Sequence, residues 1–211
     1  MMAHSFDKNY WEQHWGQPSA VAGGHGAHPN PYVVDAARAL RPGKALDAGC
    51  GAGVEAIWLA AHGWQVTGAD ISGRALATAK GQAHDASVAD MTTWIEADLT
   101  SWNPPDRWDL VVTSYAHPAM PQLAFYQRIA QWVAPGGTLL IVGHRHHHSG
   151  DTHGHGSTPP DEASVTLSEI TASLDPATWR VDTAEEHSRP LPTPGGDAVL
   201  HDVVVKATRL T

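Results

Sequence analysis

A chain of 211 residues with a hydrophobic fraction of 42% can bury one proper core, and 13 Lys+Arg against 22 Asp+Glu give it a formal charge of −9. Polyanion binding rests on Lys and Arg neutralising phosphates, so this balance argues against a nucleic-acid partner and for a small molecule. Cys50, the single cysteine, excludes an internal disulfide framework and suits a reducing cytoplasm. Met1–Trp15 lacks the apolar stretch of a signal peptide, and no apolar run approaches the ~20 residues of a bilayer span, so a cytoplasmic protein without a membrane partner is expected. Nothing in the sequence speaks to oligomeric state. Nine tryptophans and fifteen histidines are unusual for this length and need a place in any reading.

In chain order, Lys44–Asp47 reads as a short apolar strand ending in an acid. A helix follows over Val54–His62, with Gly63 where a left-handed C-cap is wanted. Trp64–Ala69 is the next strand, closed by Asp70, and Ser72 can cap a helix through Ala75, Leu76 and Ala79. Thr92–Ala97 and Asp109–Ser114 are the third and fourth strands. Gln122–Val133 has helical periodicity, Pro135-Gly136-Gly137 breaks it, and Thr138–Gly143 is a fifth strand. Alternating strands and helices predict a doubly wound, Rossmann-like α/β sheet with parallel strands and helices on both faces. A polar loop is expected over residues 144–164 and a short helix over Leu167–Leu174. Two strands then follow, Trp179–Glu186 and Ala198–Thr208, with Pro190, Pro192 and Pro194 between them. Strands joined without a helix pair antiparallel, so the sheet gains an antiparallel hairpin at one edge.

The densest signal is Leu46-Asp47-Ala48-Gly49-Cys50-Gly51-Ala52-Gly53, where a strand ends and a helix begins through a glycine-rich turn. Glycine allows positive φ and lets a ligand approach the backbone, and the free N–H groups opening the helix face it. Seventeen residues past Gly53, Asp70 ends the second strand, where a carboxylate can accept both ribose hydroxyls of an adenosine; Asp98 ends the third, near the expected adenine edge. A nicotinamide dinucleotide is a rival, because Gly51-Ala52-Gly53-Val54-Glu55-Ala56 also fits G-x-G-x-x-A. Against an NAD-dependent oxidoreductase stand the charge of Asp47, which would oppose a pyrophosphate, and a sheet that closes with a hairpin in place of a second βαβ half.

The run Ala45–Gly53 resembles motif I of the class I S-adenosylmethionine (SAM)-dependent methyltransferases. The resemblance continues through Gly63–Ser72, Glu96-Ala97-Asp98-Leu99, Asp109-Leu110-Val111-Val112 and Ala134–Leu140, and is nearest the small stand-alone tellurite-resistance and thiopurine type. It implies one SAM-binding domain over residues 1–211 and a seven-stranded sheet whose last strand is antiparallel. Asp47, Gly49, Cys50, Gly51 and Gly53 would cradle the methionine part of SAM. Asp70 would hold the ribose, Ile71 would lie against adenine, Asp98 would meet its amino group, Leu99 would donate from its backbone, and Ser114 would lie beside the methionine end. Residues 1–30 would form a lid segment whose Trp11 and Trp15, four apart on one helix face, cover the cofactor, and Asn30 would touch its carboxylate.

The methyl acceptor must be held in line with the S–CH₃ bond and kept deprotonated. His117, in Ser114-Tyr115-Ala116-His117-Pro118, is the candidate general base, and Tyr115 a candidate to orient the acceptor. The N-P-P-Y signature of nucleobase amino methylation is absent. Strand five runs into a histidine-rich loop, His144-Arg145-His146-His147-His148 to His153 and His155. His144 and His146 share a strand face, and with His147, His148, His153 and His155 this loop is a candidate zinc, nickel or copper site; His144 is also a candidate catalytic group. The expected function is methyl transfer to a small acceptor, a thiol, a chalcogen, or a heteroaromatic hydroxyl or amine. The alternatives are the NAD-dependent oxidoreductase and a non-enzymatic module that binds SAM or metal.

Overall fold

In a computed structural model, residues 6–17, 28–144, 165–193 and 196–211 are described. Their strands are β1 (Lys44–Ala48), β2 (Gln65–Asp70), β3 (Thr92–Glu96), β4 (Trp108–Ser114), β5 (Val133–His144), β6 (Trp179–Thr193) and β7 (Gly196–Arg209). They form one seven-stranded sheet in the order β3-β2-β1-β4-β5-β7-β6. The first five strands run parallel and β7 pairs antiparallel with both β5 and β6. This is the doubly wound α/β sheet with a C-terminal hairpin that the sequence predicts. Strand order reverses between β1 and β4, and that switch point opens a crevice at their carboxyl ends.

The helices are α1 (Lys8–His14), α2 (Pro31–Arg38), α3 (Val54–Ala61), α4 (Gly73–Asp85), α5 (Gln122–Ala130) and α6 (Leu167–Ala172). Two cores form, one on each face of the sheet. Val33 and Ala37 of α2 and Ala56, Leu59 and Ala60 of α3 pack with Leu110, Val112 and Leu140; Phe125 and Ile129 of α5 and Ile170 of α6 pack with Leu46, Val111 and Ile141. Much of the tryptophan excess is packing: Trp64, Trp108 and Trp132 are buried, and Trp102 stands edge-on to Trp132. Ser72 caps α4 by accepting from the Ala75 N–H, and Gly63 has the expected positive φ of 90°.

Two local expectations are corrected. Pro135-Gly136-Gly137 does not precede β5 but lies within it, absorbed where the β4–β5 register shifts between Trp108 and Leu110. Pro190 and Pro192 are not a connecting loop but positions in β6, paired with Val199 and Asp197; β6 is the edge strand, where a missing N–H costs no ladder bond on the open side. Helix α2 was not foreseen, although its signal is local: Pro31 at the first helical position follows Asn30, whose side chain accepts from the Tyr32 N–H at 3.0 Å. The histidine loop from residue 145 to 164 lies outside the described residues. Among those described, no helix is long and apolar enough to cross a membrane.

Candidate functional site

The turn after β1 is built by backbone geometry. Gly49, Gly51 and Gly53 have φ of 81°, 49° and 79°, a region L side chains adopt only with strain. The N–H groups of Gly49 and Cys50 both donate to the Ala69 carbonyl, at 2.8 and 3.1 Å, tying the turn to the end of β2. Asp70 finishes the tie: one carboxylate oxygen accepts from the Gly51 N–H and the other from the Ser72 N–H, each at 2.9 Å. Asp70 therefore positions both the glycine turn and the start of α4.

Above the turn lies a cavity of about 440 Å³. Asp47, Gly49, Cys50, Gly51, Asp70, Ile71, Asp98, Leu99 and Ser114 line it from the sheet, and Trp11 and Trp15 line it from α1. Tyr115, His117 and His144 line it as well. Two expected residues do not. Gly53 is the N-cap of α3, and a Cβ there would come within 2.5 Å of the Trp94 ring, so its lack of a side chain serves packing. Asn30 spends its oxygen capping α2, while its amide donates to the Ser114 hydroxyl at 3.3 Å, behind the cavity wall. Helix α1 is fastened over the opening by polar contacts. Glu12 accepts from the Gly73 N–H at 2.7 Å and pairs with Arg74, Lys8 pairs with Glu96, and the Trp11 indole donates to the His117 carbonyl at 3.2 Å.

The lining is electrostatically one-sided. Asp47, Glu55, Asp70 and Asp98 supply carboxylates, and no Lys or Arg lines the cavity among the described residues. Asp47 is 1% exposed, and its Oδ2 has no hydrogen-bond partner. Burial, with Glu55 and Asp70 nearby, pushes its carboxyl well above the ordinary range; burial raises Glu55 and Asp70 too. A buried, under-satisfied anionic wall is costly unless a cation fills it. An acid whose folded pKa is raised stabilises the fold least when ionised, so this contribution is lost as pH rises from the ordinary carboxylate range through the raised value. Asp47→Asn should therefore raise the melting temperature of the ligand-free protein at pH 7–8 and change it little near pH 4. Thermal melts at both pH values check this, and a lower melting temperature at pH 7–8 would contradict it. Glu55 was not singled out from sequence, because an acid in the first turn of a helix reads as an ordinary partner for the helix dipole.

At the other end of the cavity Tyr115 follows β4 with φ of 54°, a strained value for a non-glycine residue. Its hydroxyl donates to Asp202 at 2.9 Å, and its ring stacks on His144 at 4.2 Å. His117 Nδ1 lies 3.3 Å from Gln122 Oε1, and the Gln122 amide nitrogen donates to the Ala116 carbonyl at 2.9 Å. That second bond orients the amide, so Gln122 accepts, Nδ1 carries the proton, and Nε2 of a neutral His117 holds the lone pair. Phe6 stacks on both His117 and Trp11, with interplanar angles of 30° and 24°. Phe6 and Asp202 are both absent from the sequence reading, since neither lies in a motif. Of the candidate metal ligands, His144 sits against Tyr115 and Asp202, while His146, His147, His148, His153 and His155 lie outside the described residues. No group of three or more His, Cys, Asp or Glu suited to a metal occurs among the described residues.

Residues 45–137 match the family model described as "Methyltransferase domain". The chain is 30% identical over 104 residues to the 2-heptyl-1-hydroxyquinolin-4(1H)-one methyltransferase of Mycobacteroides abscessus, covering 47% of this chain and 45% of that one. It is 27% identical over 169 residues to thiocyanate methyltransferase 1 of Arabidopsis thaliana, covering 78% and 70%. Among the leading curated relatives the matched region is as little as 11% and 45% of their lengths. The fold is similar to that of TehB from Haemophilus influenzae, with a TM-score of 0.68, 18% identity, and coverage of 97% of this chain and 67% of that one.

Proposed function

We propose that this chain is a class I SAM-dependent methyltransferase, which transfers a methyl group from SAM to a small-molecule acceptor held under α1. The observation that carries the reading is the anionic wall beneath the glycine turn, with the unpartnered oxygen of Asp47 at its base. SAM is cationic at both its ammonium and its sulfonium, and such a wall favours both. The same wall disfavours the pyrophosphate of a dinucleotide, which carries two negative charges. Asp47 and the turn glycines would hold the amino-acid end, Asp70 the ribose, and Ile71, Asp98 and Leu99 the adenine. Bound there, SAM supplies an activated methyl group whose bonding electrons stay with sulfur on transfer.

The acceptor would lie between the lid rings and the residues after β4 and β5. Phe6, Trp11 and His117 on one side, and Tyr115 and His144 on the other, form near-parallel stacks. A slot of parallel rings suits a flat heteroaromatic hydroxyl, thiol or amine. The relative named for a hydroxyquinolinone supports a heteroaromatic hydroxyl acceptor, and the one named for thiocyanate supports a sulfur acceptor.

Two measurements test the cofactor. At a hundredfold excess over its Kd, SAM or its demethylated product should stabilise the fold by about 2.7 kcal/mol, or roughly 5–10 °C, while NADH should give no rise. A rise with NADH and none with SAM would overturn the reading. Asp70→Ala should weaken SAM binding by about ten- to a hundredfold, the loss of charge-assisted hydrogen bonds worth roughly 1.5–3 kcal/mol. Calorimetry showing unchanged SAM affinity would remove Asp70 from the site.

A further inference from the structure

Asp202 is an acid in β7, between His201 and the apolar run Val203-Val204-Val205. It is fully buried. A carboxylate is held in such a place at high cost unless its charge is used by partners. Antiparallel pairing sets it directly opposite His144, the last residue of β5. Its Oδ1 accepts from the Tyr115 hydroxyl at 2.9 Å and lies 3.9 Å from His144 Nδ1. The His144 ring, stacked on Tyr115, lines the cavity at its acceptor end, with its centroid 6.3 Å from that of His117. One buried carboxylate thus bonds the hydroxyl of one cavity-lining ring and lies close to a nitrogen of a second.

We propose that Asp202 is a positioning residue that orients His144 and stabilises its protonated form, making His144, in preference to His117, the group that deprotonates a hydroxyl acceptor. This rests on the reading that the acceptor occupies this cavity. The two imidazoles differ in what stands behind them. His117 Nδ1 faces the amide oxygen of Gln122, which fixes its tautomer. His144 has a carboxylate, which favours the ring after it has taken a proton. In the step, the acceptor O–H proton passes to His144 Nε2, the oxygen forms its bond to the methyl carbon, the S–CH₃ bond breaks, and its electron pair stays on sulfur as a neutral thioether. The proton leaves His144 to solvent after transfer. Other titratable groups around His144 among the described residues include Tyr115, His117 and, one strand further out, His187, which sits opposite Asp202 in the β6–β7 pairing and bonds to Glu185. An acceptor that is already an anion, such as a thiolate, needs no base and does not draw on this pair.

The test is Asp202→Asn, which keeps an acceptor for the Tyr115 hydroxyl and removes the charge. Ring NMR titration, with the His144 signal assigned by its loss in His144→Gln, should show the His144 midpoint moving down by at least about 1 pH unit. The turnover rate with a phenol-type hydroxyl should fall by about tenfold or more, and its rising pH limb should shift down with the same midpoint. The rate with a thiophenol should fall far less. A His144 midpoint that stays in place, or equal losses with both acceptors, would overturn the proposal. If Asp202→Asn does not fold, Tyr115→Phe replaces it: freeing Asp202 from the hydroxyl should leave the His144 midpoint in place or raise it, and a fall would overturn the pairing. The ring titration needs no turnover. A shifted midpoint in a protein that methylates neither acceptor would therefore count against the proposed methyl transfer and leave the Asp202–His144 pair standing.

Discussion

Replacing His144 with alanine is expected to slow methyl transfer to a hydroxyl acceptor by about 10²–10⁴-fold, the usual contribution of a general base. SAM affinity should change little, because His144 stands at the acceptor end of the cavity and the glycine turn and Asp70 stand at the other. His117→Ala should cost less in rate. Its effect should appear in KM, because the ring that is lost is part of the Phe6 stack at this end of the cavity. Steady-state kinetics with one hydroxyl and one thiol acceptor separate the two histidines. If His117→Ala produces the large loss in turnover and His144→Ala does not, the base assignment reverses. If neither loses rate with the hydroxyl acceptor, no imidazole takes the proton.

Gly53→Ala is expected to cost stability and Gly51→Ala to cost binding. At Gly53 a Cβ meets the Trp94 ring at 2.5 Å and Ala79 Cβ at 2.9 Å, both in the packed layer between α3, α4 and the sheet. Left-handed strain of roughly 1–2 kcal/mol adds to overpacking of roughly 1–3 kcal/mol. For a chain of this length that lowers the melting temperature by roughly 5–15 °C. At Gly51 the nearest atoms to such a Cβ belong to the ring of Trp15, the C-cap of α1, the closest at 2.7 Å. That helix is held by a few polar contacts at its ends and has no buried residue, so it can shift where the core cannot. Gly51→Ala should therefore melt only a few degrees lower, by the strain alone, yet bind SAM at least about tenfold more weakly because the lid no longer closes on the turn. Melting curves and calorimetry on the two variants check this together. A large loss of stability at Gly51 with unchanged binding would show the lid to be a fixed part of the core.

How much was legible beforehand depends on the range over which each feature is encoded. Asp70, Ser72 and the glycine turn act on neighbours in sequence or on the adjacent strand, and their spacing alone located them correctly. The alternation of strands and helices likewise predicted the doubly wound sheet and its antiparallel hairpin. Prolines misled in both places where a sheet edge or a register shift absorbed them, since a breaker breaks only where its missing N–H is needed, and pairing partners are not visible locally.

By itself, then, the sequence determined the α/β fold, the turn at residues 47–53 and the acids at strand ends. All of these rest on local φ, capping and periodicity, which a chain carries wherever it folds. Tertiary structure alone decided that Glu55 joins Asp47 and Asp70 in an anionic wall, that Gly53 serves Trp94 and not the cavity, and that Asp202 lies against His144 and Tyr115. The reason is distance along the chain. Asp202 meets His144 through strand pairing and Tyr115, 87 positions earlier, through its side chain, and no pattern around residue 202 announces which rings its charge will face.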